Sequence, residues 1–235
     1  MTSRLRAALA SPDSKGRHVR RLFSTIADRY DLITRLLSYG QDRRWKDRVV
    51  ALSGARPGLR ALDLACGTGD IAFALAAHGA DVVGLDITHR MLQLARAKST
   101  VARFVTGDML VLPFRDEAFD IVTTGYGLRN VPDLARAIAE MRRVLKPGGV
   151  LLSLDFDRPV NPVVRGVYLA YLTVVGSALG FILHRDPDTY RYIPESIRRY
   201  PGAIEVNRII SRAGFADSAC LPVLGGLMAI HRAHR

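Results

Sequence analysis

Short apolar runs alternate with segments of helical periodicity between residues 59 and 156. Three of the helical segments have recognisable ends: one stops at Gly79, one can be capped by Thr88 and one opens at Asp133. Strands that alternate with helices at this spacing predict a mostly parallel sheet with helices on both faces. The apolar runs are short enough to be buried strands: LRALDLA, DVVGLD, ARFVTGD, FDIVTTG and VLLSLDF.

The alternation breaks after residue 158, where residues 162–183 form a long and mostly apolar segment. About 20 apolar residues can cross a bilayer, but Arg165 and three glycines weaken this segment as a continuous helix or span. We expect a lid helix over the ligand site, with a peripheral membrane-contacting helix as the alternative. Near the end of the chain, FADSACLPV and GLMAIHRAH flank Gly225–Gly226, which predicts an antiparallel hairpin that completes the sheet.

The composition predicts one globular domain with a full core, because 49% of the 235 residues are hydrophobic and 24% are charged. The N-terminus lacks the apolar core of a signal peptide, and we expect residues 1–18 to be basic and flexible. Residues 19–235 then form a single domain, with lid segments at about 19–50 and 159–203. Cys66 and Cys220 match neither a disulfide framework nor a metal-ligand spacing, so we expect a reducing compartment and no metal.

The net charge of +12, from 34 Lys and Arg against 22 Asp and Glu, suggests a polyanionic neighbour. An anionic membrane surface fits this charge, and a basic surface without such a partner remains open. Nucleic acid is disfavoured, because the basic residues are spread along the chain without an RNA-binding or zinc-finger signature.

The segment DLACGTGD at residues 63–70 places Gly67 and Gly69 on either side of Thr68, directly after the first predicted strand. Two glycines this close indicate a sharp turn or a close approach of the backbone to a ligand. GTGDIA fits the dinucleotide pattern G-x-G-x-x-A, with Asp86 as the acidic residue that binds a ribose. This match alone does not separate a dinucleotide from another nucleoside cofactor.

Two further acidic residues favour a cofactor without a pyrophosphate. Asp63 ends the first strand, where it would repel a pyrophosphate and attract an ammonium group. Asp108 follows the third strand and can accept a hydrogen bond from an adenine amino group. Because ligands of open α/β sheets bind at the carboxyl ends of the strands, these positions predict one site, and a nicotinamide-dependent oxidoreductase becomes a distant alternative.

These features resemble the class I S-adenosylmethionine-dependent methyltransferases. The resemblance implies a Rossmann-like α/β fold, with a mostly parallel seven-stranded sheet, an antiparallel C-terminal hairpin and a helical lid. It implies S-adenosylmethionine as the cofactor, with Asp86 on the ribose hydroxyls and Asp108 and Met109 beside the adenine. The expected cofactor-binding residues are Asp63, Gly67, Thr68, Gly69, Asp86, Ile87, Asp108, Met109 and Gly125.

A sharper resemblance lies in the flanking segments YDLITRLLSYGQDRRWK, YGLRNVPD, LKPGG and DTYRYIPESIRRYP. They look like the ubiquinone/menaquinone C-methyltransferase family over residues 19–234, nearly the whole chain. The resemblance implies methylation of a ring carbon of a polyprenylated benzoquinol or naphthoquinol in isoprenoid quinone biosynthesis. Thr34, Gly125, Asp155 and Asp157 depart from the family pattern beside the acceptor site. A methyltransferase of another small acceptor, or a non-catalytic quinone-binding subunit, therefore remains open.

Methylation of an aromatic carbon requires a deprotonated ring hydroxyl, a stabilised oxyanion and an aligned methyl group. Arg129 is the expected oxyanion ligand, because its guanidinium keeps its charge and presents a fixed fork of donors. Asn130 and Tyr30 are expected to orient the same hydroxyl. The base is either Asp155 or a water molecule held by Arg129 and Asn130. Further candidates for the acceptor pocket are Tyr126, Tyr190, Arg191, Tyr192 and Ser196.

The expected location in the cell follows from the net positive charge of the protein and from the isoprenoid tail of such an acceptor. We expect a cytoplasmic protein that attaches peripherally to the inner face of the membrane, with a homodimer as an option.

Overall fold

The computed structural model describes residues 5, 9–38 and 40–235. The strands in this part of the chain are β1 (Arg60–Leu64), β2 (Asp81–Asp86), β3 (Arg103–Thr106), β4 (Phe119–Gly125), β5 (Leu145–Phe156), β6 (Ala216–Val223) and β7 (Met228–His234). They form one seven-stranded sheet in the order β3-β2-β1-β4-β5-β7-β6. The first five strands pair in parallel, and β7 pairs antiparallel with β5 and β6. The predicted fold class, with its C-terminal hairpin, is confirmed.

Helices pack on both faces of this sheet. The described α-helices are α1 (Pro12–Ile26), α2 (Tyr30–Leu37), α3 (Asp42–Ser53), α4 (Asp70–Ala77), α5 (His89–Lys98), α6 (Leu134–Val144), α7 (Pro162–His184), α8 (Asp188–Arg199) and α9 (Ala203–Arg212). In β1, Leu62 and Leu64 share a core with α6 and α9, whereas Ala61 shares the opposite core with α3, α4 and α5. This alternation follows from the two-residue repeat of a strand and orients Asp63 like Ala61.

The N-terminal helix begins earlier than we expected. The Ser11 side chain accepts a hydrogen bond from the Ser14 N–H, the Ser14 side chain accepts one from the Ser11 N–H, and Pro12 starts the helix. We expected residues 1–18 to be flexible, and the structure places residues 12–18 of this segment in the first turns of α1. Leu9 is also buried in a cluster with Tyr192 of α8. Residues 1–4 and 6–8 lie outside the described residues.

The fifth strand is longer than its apolar run. It includes the KPGG segment, because pairing with β4 jumps from Phe119–Leu145 to Ile121–Val150. The intervening residues form an irregularity, with Gly148 at a φ of +75°. The helix predicted to open at Asp133 ends at Val144, and the KPGG segment that follows forms the irregular start of β5.

The apolar segment forms one continuous helix, α7, despite its glycines. A Cβ atom at Gly180 would lie 2.6 Å from the Asp186 carbonyl oxygen, and one at Gly176 would lie 3.3 Å from Tyr190. Gly176 and Gly180 therefore permit close packing against the following segment instead of breaking the helix. Among the described helices, α7 is long and apolar enough to cross a membrane, with a mean hydropathy of 1.9 in a window that is 22% buried.

Candidate active site

The carboxyl ends of the parallel strands surround a narrow cleft. Two adjoining pockets, which share Ala65, Gly67 and Gly125, run along this edge of the sheet, and we call them together the strand-end cleft. Its walls include eight of the nine expected cofactor-binding residues: Asp63, Gly67, Thr68, Asp86, Ile87, Asp108, Met109 and Gly125.

Gly69 has a structural role in the turn. It precedes α4 at a φ of +93°, and a Cβ atom there would lie 2.7 Å from the Phe73 ring. This position therefore requires glycine for its backbone conformation. Among the described residues, Gly69 is not part of the wall of the strand-end cleft.

Asp86 fixes the glycine loop from the end of β2. Its Oδ2 accepts a hydrogen bond from the Gly67 N–H at 2.9 Å, and its Oδ1 accepts one from the Thr88 N–H at 2.7 Å. Burial raises the pKa of Asp86, whereas these hydrogen bonds lower it. Asp86 thus connects Gly67 and Thr88 on two sides of the cleft. This position is the one expected for a residue that binds ribose hydroxyls.

Asp63 carries a buried acceptor atom without a partner. Its side chain is 1% exposed, and Oδ1 accepts a hydrogen bond from the Thr123 hydroxyl at 2.8 Å. Oδ2 has no hydrogen-bond partner among the described residues. Burial raises the pKa of this carboxyl group to about 7. An ammonium group in the cleft would satisfy Oδ2, so the cleft fits a cofactor that carries one.

The far end of the cleft is lined by Asp108 and Met109. Asp108 Oδ1 accepts a hydrogen bond from the Leu110 N–H at 2.9 Å, and Met109 is 8% exposed. A carboxylate beside an apolar side chain suits a ring with an exocyclic amino group, as expected for adenine.

A larger apolar cavity of about 650 Å³ adjoins the cleft. We call it the apolar cavity; its walls come mainly from α1, α2, α3, α7 and α8. Phe23, Tyr30 and Tyr126 line both the cavity and the cleft, so the two spaces meet at these side chains. Tyr190, Tyr192, Thr34 and Arg129 also lie on the wall of the apolar cavity.

Arg129 is buried and held from several directions. It is 6% exposed, its Nη1 donates to the Ser196 hydroxyl at 2.8 Å, and its guanidinium carbon lies 4.9 Å from the centre of the Phe156 ring. These contacts fix the planar group against the wall of the cavity.

Asp155 is the main partner of Arg129. Its carboxylate accepts hydrogen bonds from Arg129 Nε at 3.1 Å, from the Arg129 N–H at 3.1 Å and from the Phe156 N–H at 2.8 Å. Among the described residues, Asp155 lines neither the cleft nor the apolar cavity. Its expected role as the base therefore does not fit the structure; Asp155 positions Arg129 instead.

Asn130 joins three parts of the site. Its Nδ2 donates to the Tyr126 carbonyl at 2.7 Å, and its Oδ1 accepts from the Tyr192 hydroxyl at 2.9 Å and from Arg129 at 3.3 Å. Asn130 lines the strand-end cleft, where it connects α8 to the loop after β4.

Two of the expected pocket residues point elsewhere. Arg191 donates to the Ser177 hydroxyl at 2.9 Å and to Asp188 at 3.2 Å, so it ties α8 to α7. Ser196 contacts Arg129 and donates to the Ile193 carbonyl at 2.7 Å. Among the described residues, neither side chain lines the apolar cavity. Both were expected in the acceptor pocket, and the helical rotation of α8 turns them away from it.

The sequence interpretation missed a charged cluster on α3. Lys46 Nζ lies 2.5 Å from Asp42 and 2.8 Å from Asp70, and the Tyr126 hydroxyl donates to Asp42 at 2.5 Å. Asp42 and Lys46 are an i, i+4 pair within one quoted motif, a signal that could have marked them. Burial alone would lower the pKa of Lys46, but Asp42 and Asp70 raise it overall.

Lys15 was also missed, because its segment was expected to be flexible. Its Nζ donates to the carbonyl oxygens of Arg129 at 3.1 Å and Val131 at 2.6 Å. Burial, together with the charge of Arg129, lowers the pKa of Lys15 to about 8. The N-terminal helix is thus fastened to the loop that carries Arg129.

Metal chemistry has no candidate site in the described part of the chain, where no group of three or more His, Cys, Asp or Glu side chains could hold an ion.

Comparison with known proteins assigns the family. The model described as the ubiE/COQ5 methyltransferase family matches residues 11–235. A curated protein named demethylmenaquinone methyltransferase, from Staphylococcus aureus (strain JH9), is 36% identical over 233 residues, which cover 97% of each chain.

Solved structures share the fold. An S-adenosylmethionine-dependent methyltransferase of Thermotoga maritima, described as a possible histamine N-methyltransferase, has a TM-score of 0.67 at 20% identity, covering 92% of this chain and 99% of that chain. Phosphoethanolamine N-methyltransferase 2 of Haemonchus contortus, in complex with S-adenosyl-L-methionine, has a TM-score of 0.61 at 15% identity, covering 82% and 52%. The resemblance found in the sequence is confirmed, and the chain belongs to the ubiE/COQ5 methyltransferase family.

Proposed function

We propose that this protein transfers a methyl group from S-adenosylmethionine to a ring carbon of a polyprenylated naphthoquinol, a demethylmenaquinol. The observation that carries the proposal is the apolar cavity of about 650 Å³, which meets the strand-end cleft at Tyr30 and Tyr126 and has Arg129 on its wall. The name of the Staphylococcus aureus relative supports a naphthoquinol over a benzoquinol.

The cleft provides for the methyl donor. Asp63 would bind its ammonium group, Asp86 its ribose hydroxyls, and Asp108 its adenine amino group. When bound, S-adenosylmethionine supplies a methyl group that is activated by a positive sulfur. The glycine loop at Gly67 allows the backbone to approach the donor closely.

Arg129 acts on the acceptor. A ring carbon becomes nucleophilic when the neighbouring hydroxyl loses its proton, and Arg129 would stabilise the resulting oxyanion. Asp155, Ser196 and Phe156 hold the guanidinium in place before the reaction, so little reorganisation is required. Tyr30 lines both spaces and would orient the ring.

The isoprenoid tail is proposed to leave the cavity along α7. Val163, Val164 and Val167 line the apolar cavity and are also 72%, 46% and 67% exposed. The mouth of the cavity is therefore apolar and open to the surroundings, which suits a ligand whose tail is too hydrophobic for water.

We also propose peripheral attachment to the inner face of an anionic membrane, in the cytoplasm. Phe181 and Ile182 of α7, together with Leu32 and Leu36 of α2, are further large apolar side chains that are exposed. The net charge of +12 supplies attraction to acidic lipids. A tailed quinol could then reach the ring site without crossing water.

Mass spectrometry of the lipid quinones from cells that lack this protein tests the proposed reaction. An accumulated menaquinone precursor that is one methyl group lighter supports it. An unchanged menaquinone pool with an altered ubiquinone pool assigns the benzoquinol instead, and unchanged pools of both overturn the proposal.

A further inference from the structure

The acceptor side of the site lacks an obvious proton acceptor. Among the described residues, the wall of the apolar cavity contains no Asp, Glu or His side chain. Asp155 is shielded from the cavity and occupied by three N–H donors. The proposed methylation nevertheless requires that a ring hydroxyl lose its proton, so a group that reaches the cavity must accept it.

Tyr126 stands where the two spaces meet. It lines the apolar cavity and both pockets of the strand-end cleft, and it is 8% exposed. Methyl transfer requires donor and acceptor to touch, which can occur only where their two spaces join. Tyr126 is therefore beside the place where the reacting ring must lie.

The backbone of Tyr126 is strained and firmly held. Its φ is +61°, a left-handed conformation that is costly for a bulky residue. Its N–H donates to the Leu154 carbonyl at 2.7 Å, and its carbonyl accepts from Asn130 at 2.7 Å. Strain of this kind persists where the surrounding structure imposes it, and it is common at active sites.

Asp42 is the hydrogen-bond partner of the Tyr126 hydroxyl. The Tyr126 hydroxyl donates to Asp42 Oδ1 at 2.5 Å, while Asp42 Oδ2 lies 2.5 Å from Lys46 Nζ. Lys46 also lies 2.8 Å from Asp70. If Asp42 gains a proton, Lys46 keeps a carboxylate partner in Asp70, so protonation leaves no isolated buried cation. The cluster can thus store one proton.

We propose that Tyr126 and Asp42 form the proton relay of this site, an inference that rests on the proposed function. The ring hydroxyl of the acceptor gives its proton to the Tyr126 oxygen while Tyr126 gives its own hydroxyl proton to Asp42. One O–H bond breaks and one forms at Tyr126, which is neutral before and after the step. The acceptor becomes a phenolate facing Arg129, and Asp42 becomes a neutral acid.

Tyr190 and Tyr30, two of the five other tyrosines on the cavity wall, fit this role less well. The Tyr190 hydroxyl lies 2.8 Å from His184 Nε2, but Tyr190 lines only the apolar cavity among the spaces described here. Tyr30 also lies at the junction, but among the described residues its hydroxyl forms no hydrogen bond to a carboxylate, whereas the Tyr126 hydroxyl donates to Asp42. Tyr126 combines the junction with a carboxylate.

Several ionisable groups face the relay and will shape its pH dependence. They are Asp42 and Lys46 on α3, Asp70 on α4, Tyr30 on α2 and Asp155 on β5.

The test compares Tyr126→Phe, Asp42→Asn and the double variant with the wild-type protein. Turnover of demethylmenaquinol and of a ring-halogenated analogue, whose hydroxyl is more acidic, is measured from about pH 6 to about pH 9. Tyr200→Phe is the matched control, because it removes a buried hydroxyl that has no hydrogen-bond partner among the described residues. Calorimetry with S-adenosylmethionine shows whether each variant still binds the donor.

We expect each single variant to lower kcat about 100-fold with demethylmenaquinol, and the double variant to lose little more, because the two residues act as one unit. The loss should shrink with the acidic analogue and with rising pH, since both reduce the need for a base. Tyr200→Phe should match the wild-type protein.

A loss that is equal for both acceptors at every pH would assign Tyr126 and Asp42 a purely structural role and overturn the relay. If Tyr126→Phe turns over demethylmenaquinol as fast as the wild-type protein does, the relay is overturned and the proposed function is not. Absence of quinol methylation by the wild-type protein would overturn the proposed function, and the relay with it.

Discussion

Arg129 and Asp155 form a buried ion pair in which Nε lies 3.1 Å from Oδ1, and their side chains are 5% and 2% exposed. A charge pair this deeply buried is costly to desolvate and gains from further hydrogen bonds, which Ser196 and two backbone N–H groups provide. The pair therefore presents a fixed guanidinium to the apolar cavity. Positioning of a cation, and not proton abstraction by Asp155, is its contribution to the site.

Arg129→Lys should impair turnover while leaving the donor site intact. A lysine keeps the charge but cannot reach Asp155 and Ser196 with one planar group. We expect kcat to fall about 100-fold to 1000-fold, as for loss of one oxyanion ligand. Steady-state kinetics and calorimetry with S-adenosylmethionine measure both properties.

Arg208→Lys, on the exposed side of α9, is the control for this substitution. If Arg129→Lys loses donor affinity and keeps its turnover at saturating donor, Arg129 belongs to the cofactor site and not to the acceptor site.

Asp86→Ala should weaken the binding of S-adenosylmethionine. The ribose hydroxyls lose a charged acceptor, and hydrogen bonds of this kind contribute about 1.5–3 kcal/mol. Loss of the contact to the Gly67 N–H should weaken binding further, because the glycine loop is no longer fixed. Calorimetry on the folded variant measures the change; Asp81→Ala, at the exposed start of β2, is the matched control. Equal affinity of Asp86→Ala and wild type would remove Asp86 from the site.

Asp63 should make donor binding depend on pH. Its pKa is about 7 in the folded protein, because the carboxyl group is buried. Only the ionised form attracts an ammonium group, so affinity for S-adenosylmethionine should rise as the pH increases from about 5 to about 7. The Asp63→Asn variant should bind the donor weakly, without this rise. A rise that persists in the variant would show that another group controls it.

The Asp63 carboxyl group should make the free energy of unfolding fall as the pH rises, whereas it makes donor affinity rise. Since the pKa of Asp63 is raised above its unfolded value of 3.8, its contribution to stability is full below that value and is lost as the pH rises through about 7. Without cofactor, Asp63→Asn should therefore increase the free energy of unfolding more at about pH 8 than at about pH 4. Urea denaturation at both pH values measures this difference; a stabilisation that does not grow with pH would contradict it.

The exposed apolar surface of α7 should be required for membrane attachment. We expect Phe181→Ser with Ile182→Ser to reduce flotation with anionic liposomes, because these side chains are 64% and 71% exposed. The control pair is Val101→Ser with Val111→Ser, which replaces similarly exposed apolar residues outside α7. Binding should also weaken with salt, since part of the attraction is electrostatic. Equal flotation of both double variants would exclude α7 as the contact.

The sheet and the cofactor side of the site were predictable from the sequence because they depend on local rules. Strand periodicity placed Asp63, Asp86 and Asp108 at neighbouring strand ends, where parallel topology brings them together. Gly69 was assigned to the ligand because the pattern alone does not separate a glycine needed for its φ from one beside a ligand.

The acceptor side depended on contacts that periodicity does not encode. Lys15 reaches the Arg129 carbonyl 114 positions away, and Tyr126 reaches Asp42 84 positions away. The sequence marked Asp155 as a site residue but assigned it the role of a base. Only the tertiary structure shows that its carboxylate is hydrogen-bonded to Arg129.

Methyl transfer by the purified protein is the most direct test of the central claim. The protein is incubated with isotopically labelled S-adenosylmethionine and demethylmenaquinol in anionic vesicles, and the product is analysed by mass spectrometry with fragmentation of the ring. We predict menaquinol that carries the label on a ring carbon. A label on a ring oxygen, or no labelled quinol from a protein that binds S-adenosylmethionine, would contradict the account.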